Sequence, residues 1–205
     1  MNYTEFCTAA GFDVSRETFS RLESYAALLE KWQAKINLVG PKTLPDLWRR
    51  HFLDSAQIFP LIDDKNAKIA DLGSGAGFPG LVLAALGCGN VHLVESDRRK
   101  CTFLREVARA CDLSPVVTIH NCRIEEVGLE DVQIVTARAL APLSALLSYA
   151  EPLLAAGGVC LFLKGAGAAD EIKDAARGRD FSSAEFSSKT AEDGVILRVS
   201  DLRKT

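Results

Sequence analysis

The sequence predicts an α/β fold, in which a mostly parallel seven-stranded sheet carries an antiparallel C-terminal edge and an N-terminal helical extension. Three observations predict it. From Lys68 onward, short β-branched runs alternate with helical stretches, which is typical of a parallel sheet covered on both faces. Before Lys68, apolar side chains recur at helical spacing. The last two β-branched runs lie close together in the chain, so we expect them to pair antiparallel.

Two helices are predicted in the N-terminal part of the chain. Apolar side chains recur every three or four residues over 15–36, and Ser15 stands where an N-cap is expected. A second helix should begin near Thr43, because Thr43 and Asp46 have the spacing of a capping box and Pro45 suits a first turn.

The length of 205 residues suits one sizeable core or one domain with an appendage. We expect residues 1–62 to form a helical extension, or lid, packed on the core. Residues 63–205 should form that core, which gives a single compact domain overall.

The elements after Lys68 follow in a regular order. The segment KGAGAADEIKDAARGRD is the one expected to be mobile. The predicted parallel strands are AKIADLG, NVHLVES, VVTIHN, VQIVTAR and GVCLFLKG; the helices are PGLVLAALG, RKCTFLREVARAC and LSALLSYAEPLLAA; the antiparallel pair is SSAEFSSKT and GVILRVSDL.

Composition limits the class of protein. With 48% hydrophobic and 25% charged residues, the chain has the profile of a soluble globular protein. No apolar run approaches the ~20 residues that span a bilayer, and the N-terminus does not resemble a signal peptide, so we expect a cytoplasmic protein without membrane contact. The six cysteines are scattered without zinc-ligand spacing, which predicts reduced thiols and no metal.

The stretch IADLGSGAGFPG lies where the first strand turns into its helix, at the edge where open α/β sheets bind ligands. Residues 75–80 fit G-x-G-x-x-G, which is typical of dinucleotide sites. Residues 71–77 fit D-x-G-x-G-x-G, the usual loop of S-adenosylmethionine sites. Glu95, 20 residues past Gly75, would hold ribose hydroxyls in either case.

The acid in this loop favours the methyl donor. A dinucleotide places its pyrophosphate on the helix N-terminus and has little use for a nearby anion. A sulfonium donor is positively charged, so a carboxylate suits it. The helical extension and the antiparallel edge also fit a methyltransferase. We therefore expect Asp71, Gly73, Gly75, Gly77 and Glu95 to bind S-adenosylmethionine.

Basic residues predict a polyanionic substrate. Arg123, Arg138 and Lys164 each fall at or just past the carboxyl end of a predicted strand. The formal net charge is −3, so a nucleic-acid site must be a local basic patch. Arg50 and His51 lie on the second predicted helix, which can fold over the same edge and add phosphate contacts.

These residues belong to a set of motifs that resembles a known family. The chain is similar to the bacterial small-subunit ribosomal RNA methyltransferase G family, also called glucose-inhibited division protein B, which methylates N7 of a guanine in 16S rRNA. The resemblance implies a Rossmann-like class I S-adenosylmethionine-dependent methyltransferase fold, and the small ribosomal subunit as a partner. The matching motifs are KINLVG, RRHFLDS, ADLGSGAGFPG, LVESDRRKCTFL, CRIEEV, TARALAPL and FLKG.

The resemblance also implies roles for single residues. Gly73 and Phe78 would contact the donor, Ile124 and Glu125 would hold its adenine, and Arg138 would close the site.

The chain lacks features of two other methyl-transfer chemistries. Methylation of an exocyclic amine usually goes with an N-P-P-Y type loop after the fourth strand, and C5 methylation of a pyrimidine needs a cysteine nucleophile there. This chain has TARALAPL instead. Guanine N7 presents a lone pair, so we expect no catalytic acid or base.

Two other functions stay open at this level. A methyltransferase of small molecules would share the glycine loop and Glu95 but would not need the cations. A nicotinamide-dependent oxidoreductase would use the G-x-G-x-x-G pattern.

Overall fold

A computed structural model describes residues 1–204. Seven strands form one sheet in the order β3-β2-β1-β4-β5-β7-β6. The neighbours from β3 to β5 pair in parallel, whereas β7 runs antiparallel to both β5 and β6. The sheet predicted from the sequence is therefore confirmed. The strands are β1 (Ile69–Leu72), β2 (Val91–Val94), β3 (Val117–His120), β4 (Val132–Arg138), β5 (Leu154–Lys164), β6 (Arg179–Ser187) and β7 (Val195–Lys204).

The α-helices flank this sheet and precede it. Ser15 caps α2 as predicted, since its side chain accepts a hydrogen bond from the Thr18 N–H at 3.0 Å. The sequence interpretation missed α1, although Asn2 and Glu5 form its capping box. The helices are α1 (Tyr3–Ala10), α2 (Arg16–Gln33), α3 (Asp54–Ala56), α4 (Gly80–Leu86), α5 (Arg98–Ala110), α6 (Leu143–Ala150) and α7 (Ala168–Ala175).

The second predicted helix was wrong in form. A 3₁₀ helix spans Pro41–Asp46 and a π-helix spans Trp48–Leu53, and only then does α3 begin. Thr43 does not cap a helix, because its hydroxyl contacts the Gly40 carbonyl and the His51 ring, each at 2.7 Å. A tertiary contact thus overrides the local capping signal.

The segment after β5 was also predicted wrongly. Instead of a mobile connection it contains α7, which packs against α6. Glu171 on α7 accepts hydrogen bonds from the Leu143 N–H and from Lys164, both at 2.6 Å. These bonds tie α7 to the start of α6.

The core follows the alternation of side chains along the strands. Ile69 and Leu161 point into one apolar cluster, and their neighbours Ala70 and Phe162 point into the cluster on the opposite face. The first cluster also contains the buried aromatic residues of α1 and α2. Within residues 1–204, no helix is long and apolar enough to cross a membrane, and all six cysteines are free thiols.

Tyr25 connects α2 to the loop that follows β1. Its ring is fully buried and stacks on Phe78, with centroids 5.3 Å apart. Its hydroxyl donates a hydrogen bond to the carbonyl of Ala76 in that loop. The N-terminal segment therefore contacts the glycine-rich loop directly.

Replacement of Tyr25 by Phe should lower the free energy of unfolding by about 1–3 kcal/mol, because the buried Ala76 carbonyl loses its hydrogen bond. Urea denaturation measures the change. Tyr149→Phe is the matched control: the Tyr149 hydroxyl has no hydrogen-bond partner in the described part of the chain, so its loss should cost less than about 0.5 kcal/mol. Equal effects of the two variants would contradict this prediction.

Candidate functional site at the carboxyl edge of the sheet

A cavity of ≈ 1070 Å³ opens where β1, β2, β4 and β5 end. It lies at the edge where open α/β sheets bind ligands. Two of the residues predicted to bind a ligand, Asp71 and Gly77, do not line it. The predicted residues that do line it are Gly73, Gly75, Phe78, Glu95, Ile124, Glu125, Arg138, Arg50, His51, Arg123 and Lys164.

The glycine loop turns sharply from β1 towards α4. Gly75 has φ +57° and faces the cavity, and a Cβ built there would have no neighbour nearer than the Gly73 carbonyl at 3.7 Å. Gly77 has φ +94°, but a Cβ there would lie 2.4 Å from Leu81 and 2.7 Å from the Tyr25 hydroxyl. Gly75 thus leaves backbone open to a ligand, whereas Gly77 allows the loop to pack closely against α2 and α4.

Glu95 follows β2, and its carboxylate connects two segments of the backbone at the cavity wall. Its carboxylate accepts hydrogen bonds from the Gly75 N–H at 2.9 Å and from the Asp97 N–H at 2.8 Å. A carboxylate has about four lone-pair sites. The remaining sites are available to hydroxyl groups of a ligand, because Glu95 lines the cavity.

Asp71 is placed behind the loop rather than in the cavity. It is completely buried, and it accepts hydrogen bonds from the Thr136 hydroxyl at 2.9 Å and the Gly80 N–H at 3.3 Å. Burial raises the pKa of the Asp71 carboxyl to about 6, against the opposing effect of these hydrogen bonds. Asp71 therefore holds β1, β4 and the start of α4 together, and its side chain does not line the cavity.

Arg138, at the end of β4, connects the sheet to the N-terminal segment. Its guanidinium donates to the Arg50 carbonyl at 2.9 Å, to Asp54 at 3.3 Å and to the His51 ring at 2.8 Å. It lies 4.9 Å from the centroid of the Phe78 ring, in cation–π geometry. The structure thus brings four of the predicted residues into one cluster at the cavity wall.

His51 sits in this cluster as a neutral ring. It is 7% exposed, and burial, together with the positive charges of Arg138 and Arg50, lowers the pKa of His51 to about 3. The neutral ring supplies no positive charge for a phosphate, and both of its nitrogens already contact protein groups, Arg138 and Thr43.

Lys164 lines the cavity but is already paired. Its ammonium lies 2.6 Å from Glu171 and 2.9 Å from the Ala141 carbonyl, and its side chain is 8% exposed. The loop between β4 and α6 that it holds contains Ala139, which has the unusual φ of +50° for a non-glycine residue. This geometry makes Lys164 a support of the loop rather than a free cation.

Two predicted cations are free of such pairing. Arg50 and Arg123 are exposed at the cavity, and neither forms an ion pair within residues 1–204. Arg123 precedes the 3₁₀ turn Ile124–Glu126, which brings Ile124 and Glu125 to the cavity beside Glu95. Exposed arginines at this position are suited to phosphate contacts.

The sequence interpretation missed several residues of the cavity wall. Thr43 was interpreted as a helix cap, and Leu140, 37% exposed, was part of a loop without a predicted role. Ser188 and Thr190, in the turn between β6 and β7, reach the cavity through bonds to Gln57 and Asp54 on the N-terminal segment. No local signal could have found these two, because their partners are more than 130 residues away.

Comparison with known proteins identifies relatives of this chain. The protein is 54% identical to the ribosomal RNA small subunit methyltransferase G of Paramagnetospirillum magneticum, over 100% of this chain and 98% of that one. Its fold is similar to a methyltransferase from Geobacter sulfurreducens, with a TM-score of 0.61 and 15% identity over 91% of this chain and 98% of that one.

It is also similar to M. jannaschii TYW2, solved in complex with AdoMet, with a TM-score of 0.57 and 16% identity over 84% of this chain and 80% of that one. The fold is thus that of class I S-adenosylmethionine-dependent methyltransferases, as the sequence predicted. The model of the family described as rRNA small subunit methyltransferase G matches residues 18–194, and the chain belongs to that family.

Proposed function

We propose that this protein transfers the methyl group of S-adenosylmethionine to N7 of a guanine in 16S ribosomal RNA. The observation that carries the proposal is the cavity itself, which brings together a glycine loop, a carboxylate and two exposed arginines. The loop and the carboxylate suit a nucleoside with a charged amino-acid tail, and the arginines suit a polyanion. Family membership supports both assignments.

The chain offers donor-binding groups along one wall. Bound S-adenosylmethionine supplies an electrophilic methyl group on its sulfonium. Glu95 is placed to accept hydrogen bonds from ribose hydroxyls, because its carboxylate lines the cavity and is oriented by two backbone N–H groups. Ile124 and Glu125 flank the adenine position, and the open backbone of Gly75 admits the rest of the donor.

The residues of the cavity need not remove a proton. Guanine N7 carries its lone pair in the plane of the ring, so a nucleophile is present without a general base. Correct positioning of two reactants is worth ~7–11 kcal/mol at best. We therefore assign the cluster around Arg138 and Phe78 to positioning.

The predicted cations that stay exposed at the cavity are Arg50 and Arg123. We propose that they contact phosphates, and that residues 1–62 act as a lid that carries Arg50 to the cavity. The proposed substrate exists as free RNA or within the small ribosomal subunit in the cytoplasm.

The direct test is incubation with a labelled methyl donor and small-subunit RNA, both as free RNA and as assembled particles, followed by mapping of the modified base. Label at N7 of one guanine supports the proposal. Label only in a small molecule of a cell extract would overturn it in favour of a small-molecule methyltransferase.

Substitution Gly75→Val should abolish donor binding, because a β-branched side chain fills the open face of the loop and resists φ of +57°. Isothermal calorimetry with S-adenosylmethionine measures this. Gly128→Val is the matched control, since Gly128 has φ +60° and no atom within 4 Å of its Cβ position, and it lies outside the main cavity. If the two variants lose donor affinity equally, backbone strain alone explains the result.

The change Glu95→Gln should weaken donor binding about tenfold or more, because hydrogen bonds to a charged group are worth ~1.5–3 kcal/mol. The substitution also places an NH₂ group opposite a backbone N–H, because each oxygen of the Glu95 carboxylate accepts a hydrogen bond, one from the Gly75 N–H and the other from the Asp97 N–H. Calorimetry again gives the affinity. Glu126→Gln is the control, because Glu126 is the exposed last residue of the turn Ile124–Glu126 and does not line the cavity. Unchanged affinity of Glu95→Gln would show that no donor hydroxyl contacts this carboxylate.

Removal of Arg50 or Arg123 by alanine should weaken RNA binding and lower its salt slope by about one unit, while donor affinity stays nearly unchanged. Lys164→Ala should behave differently, because its ammonium is already paired with Glu171. We expect it to lower stability and leave the salt slope unaltered. Filter binding at several salt concentrations tests this, and a slope that depends on Lys164 but not on the two arginines would refute it.

A further inference from the structure

The bonds around His51 determine where its proton lies. Arg138 Nη2 is 2.8 Å from His51 Nδ1. A guanidinium can only donate, so Nδ1 must accept, and the ring proton lies on Nε2. Nε2 is 2.7 Å from the Thr43 hydroxyl, which in turn donates to the Gly40 carbonyl at 2.7 Å. The donors thus run in one direction, from Arg138 through His51 and Thr43 to Gly40.

This series can exist only with an uncharged imidazole. A protonated ring would have N–H groups on both nitrogens and would oppose the guanidinium. The surroundings of His51 agree with this, because Arg138 and Arg50 are cationic and the ring packs against Phe78, with centroids 5.1 Å apart. The carboxylate of the cluster, Asp54, pairs with Arg138.

His51 and Asp54 hold different nitrogens of the same guanidinium. Nη1 donates to Asp54 and to the Arg50 carbonyl, and Nη2 donates to His51. These bonds use three of the five N–H groups of Arg138. The second hydrogen of Nη2 and the Nε hydrogen have no acceptor among the described residues, and Arg138 lines the cavity. Without His51, only Nη1 would be held by hydrogen bonds, and Nη2 would have no acceptor among the described residues.

We propose that His51 is a positioning residue: as a neutral acceptor it fixes the plane of the Arg138 guanidinium, so that the remaining N–H groups bind an oxyanion in the cavity. That oxyanion is the carboxylate of the methyl donor or a phosphate of the RNA, both of which a guanidinium recognises. The inference rests on the proposed methyl-transfer function for the identity of these ligands. The state of the ring itself does not depend on that function.

Two variants separate the acceptor from the ring. His51→Asn retains an acceptor near the position of Nδ1, whereas His51→Phe retains the ring against Phe78 and loses the acceptor. We expect His51→Phe to weaken binding of the oxyanion ligand about tenfold or more and His51→Asn to retain most of the affinity. His92→Phe is the matched control, since His92 pairs with His120 on β2 and β3 and does not line the cavity.

Calorimetry with S-adenosylmethionine and filter binding with small-subunit RNA identify which ligand carries the oxyanion. A loss confined to the first assay assigns the donor carboxylate, and a loss confined to the second assigns a phosphate. Equal affinities of wild type, His51→Phe and His51→Asn for both ligands would overturn the inference. A wild-type protein that binds neither ligand would instead contradict the proposed function.

The coupling to Arg138 gives a second criterion. If His51 acts through the guanidinium, His51→Phe should cause no further loss of affinity in an Arg138→Ala background. Additive losses would mean that His51 binds the ligand itself, and would overturn the inference.

A spectroscopic measurement keeps the inference testable even where His51→Phe fails to fold. The chain has three histidines, so ¹⁵N-labelled imidazoles of the wild-type protein give few signals, and His51→Asn assigns one of them. We expect His51 to stay in the Nε2–H form from pH 8 to pH 5. A ring that is protonated on Nδ1, or that titrates near its usual pKa, would refute the proposal.

Discussion

The hydrogen bond between the Glu95 carboxylate and the Gly75 N–H is the constraint on which the cavity depends. Glycine loses more backbone entropy on folding than any other residue, so a loop of glycines does not hold its own shape. Side chains from outside the loop therefore add to its internal bonds, in which the Ser74 carbonyl accepts from the Gly77 N–H at 2.7 Å. Glu95 fixes the cavity side of the loop, and Tyr25 fixes the opposite side through the Ala76 carbonyl. The same carboxylate that faces a ligand thus also builds the surface on which the ligand lies.

The parts of this site that follow from chain order could be predicted from the sequence. Carboxyl ends of parallel strands meet at one edge, so the glycine loop and Glu95 had to lie together. The placement of the Asp71 side chain behind the loop was not predicted, because the sequence argument used its position in the chain and not the face of β1 on which it lies. Along β1, Asp71 follows Ile69 with the alternation of a strand, and Ile69 faces the cluster that contains α4. The carboxylate therefore meets the Gly80 N–H of α4, where a Cβ would lie 2.9 Å from its oxygen.

The sequence indicated where the charged residues of the site lie, but it did not indicate which residues form ion pairs with them. Arg138 and Lys164 stand at strand ends as predicted, yet their partners come from elements whose approach no local pattern specifies. Asp54 lies 84 residues before Arg138, and Glu171 lies on a helix in a segment that had been considered mobile. The π-helical form of Trp48–Leu53 had no signal either, because it accompanies the contacts of His51 with Thr43 and Arg138.

Pairing divides the cations of the cavity by function. Arg138 and Lys164 are largely buried and bonded to protein, so they set the positions of Phe78, of the N-terminal segment and of the loop after β4. An exposed cation costs little to leave unpaired in water, whereas a buried one requires its partner. A protein of formal net charge −3 can therefore attract a polyanion to the exposed cations at one edge, while the rest of its surface repels that polyanion.

The N-terminal segment contributes to both groups of charges, since it supplies Asp54 to the ion pair with Arg138 and Arg50 to the exposed cations. Any movement of that segment would shift Asp54 and Arg50 together.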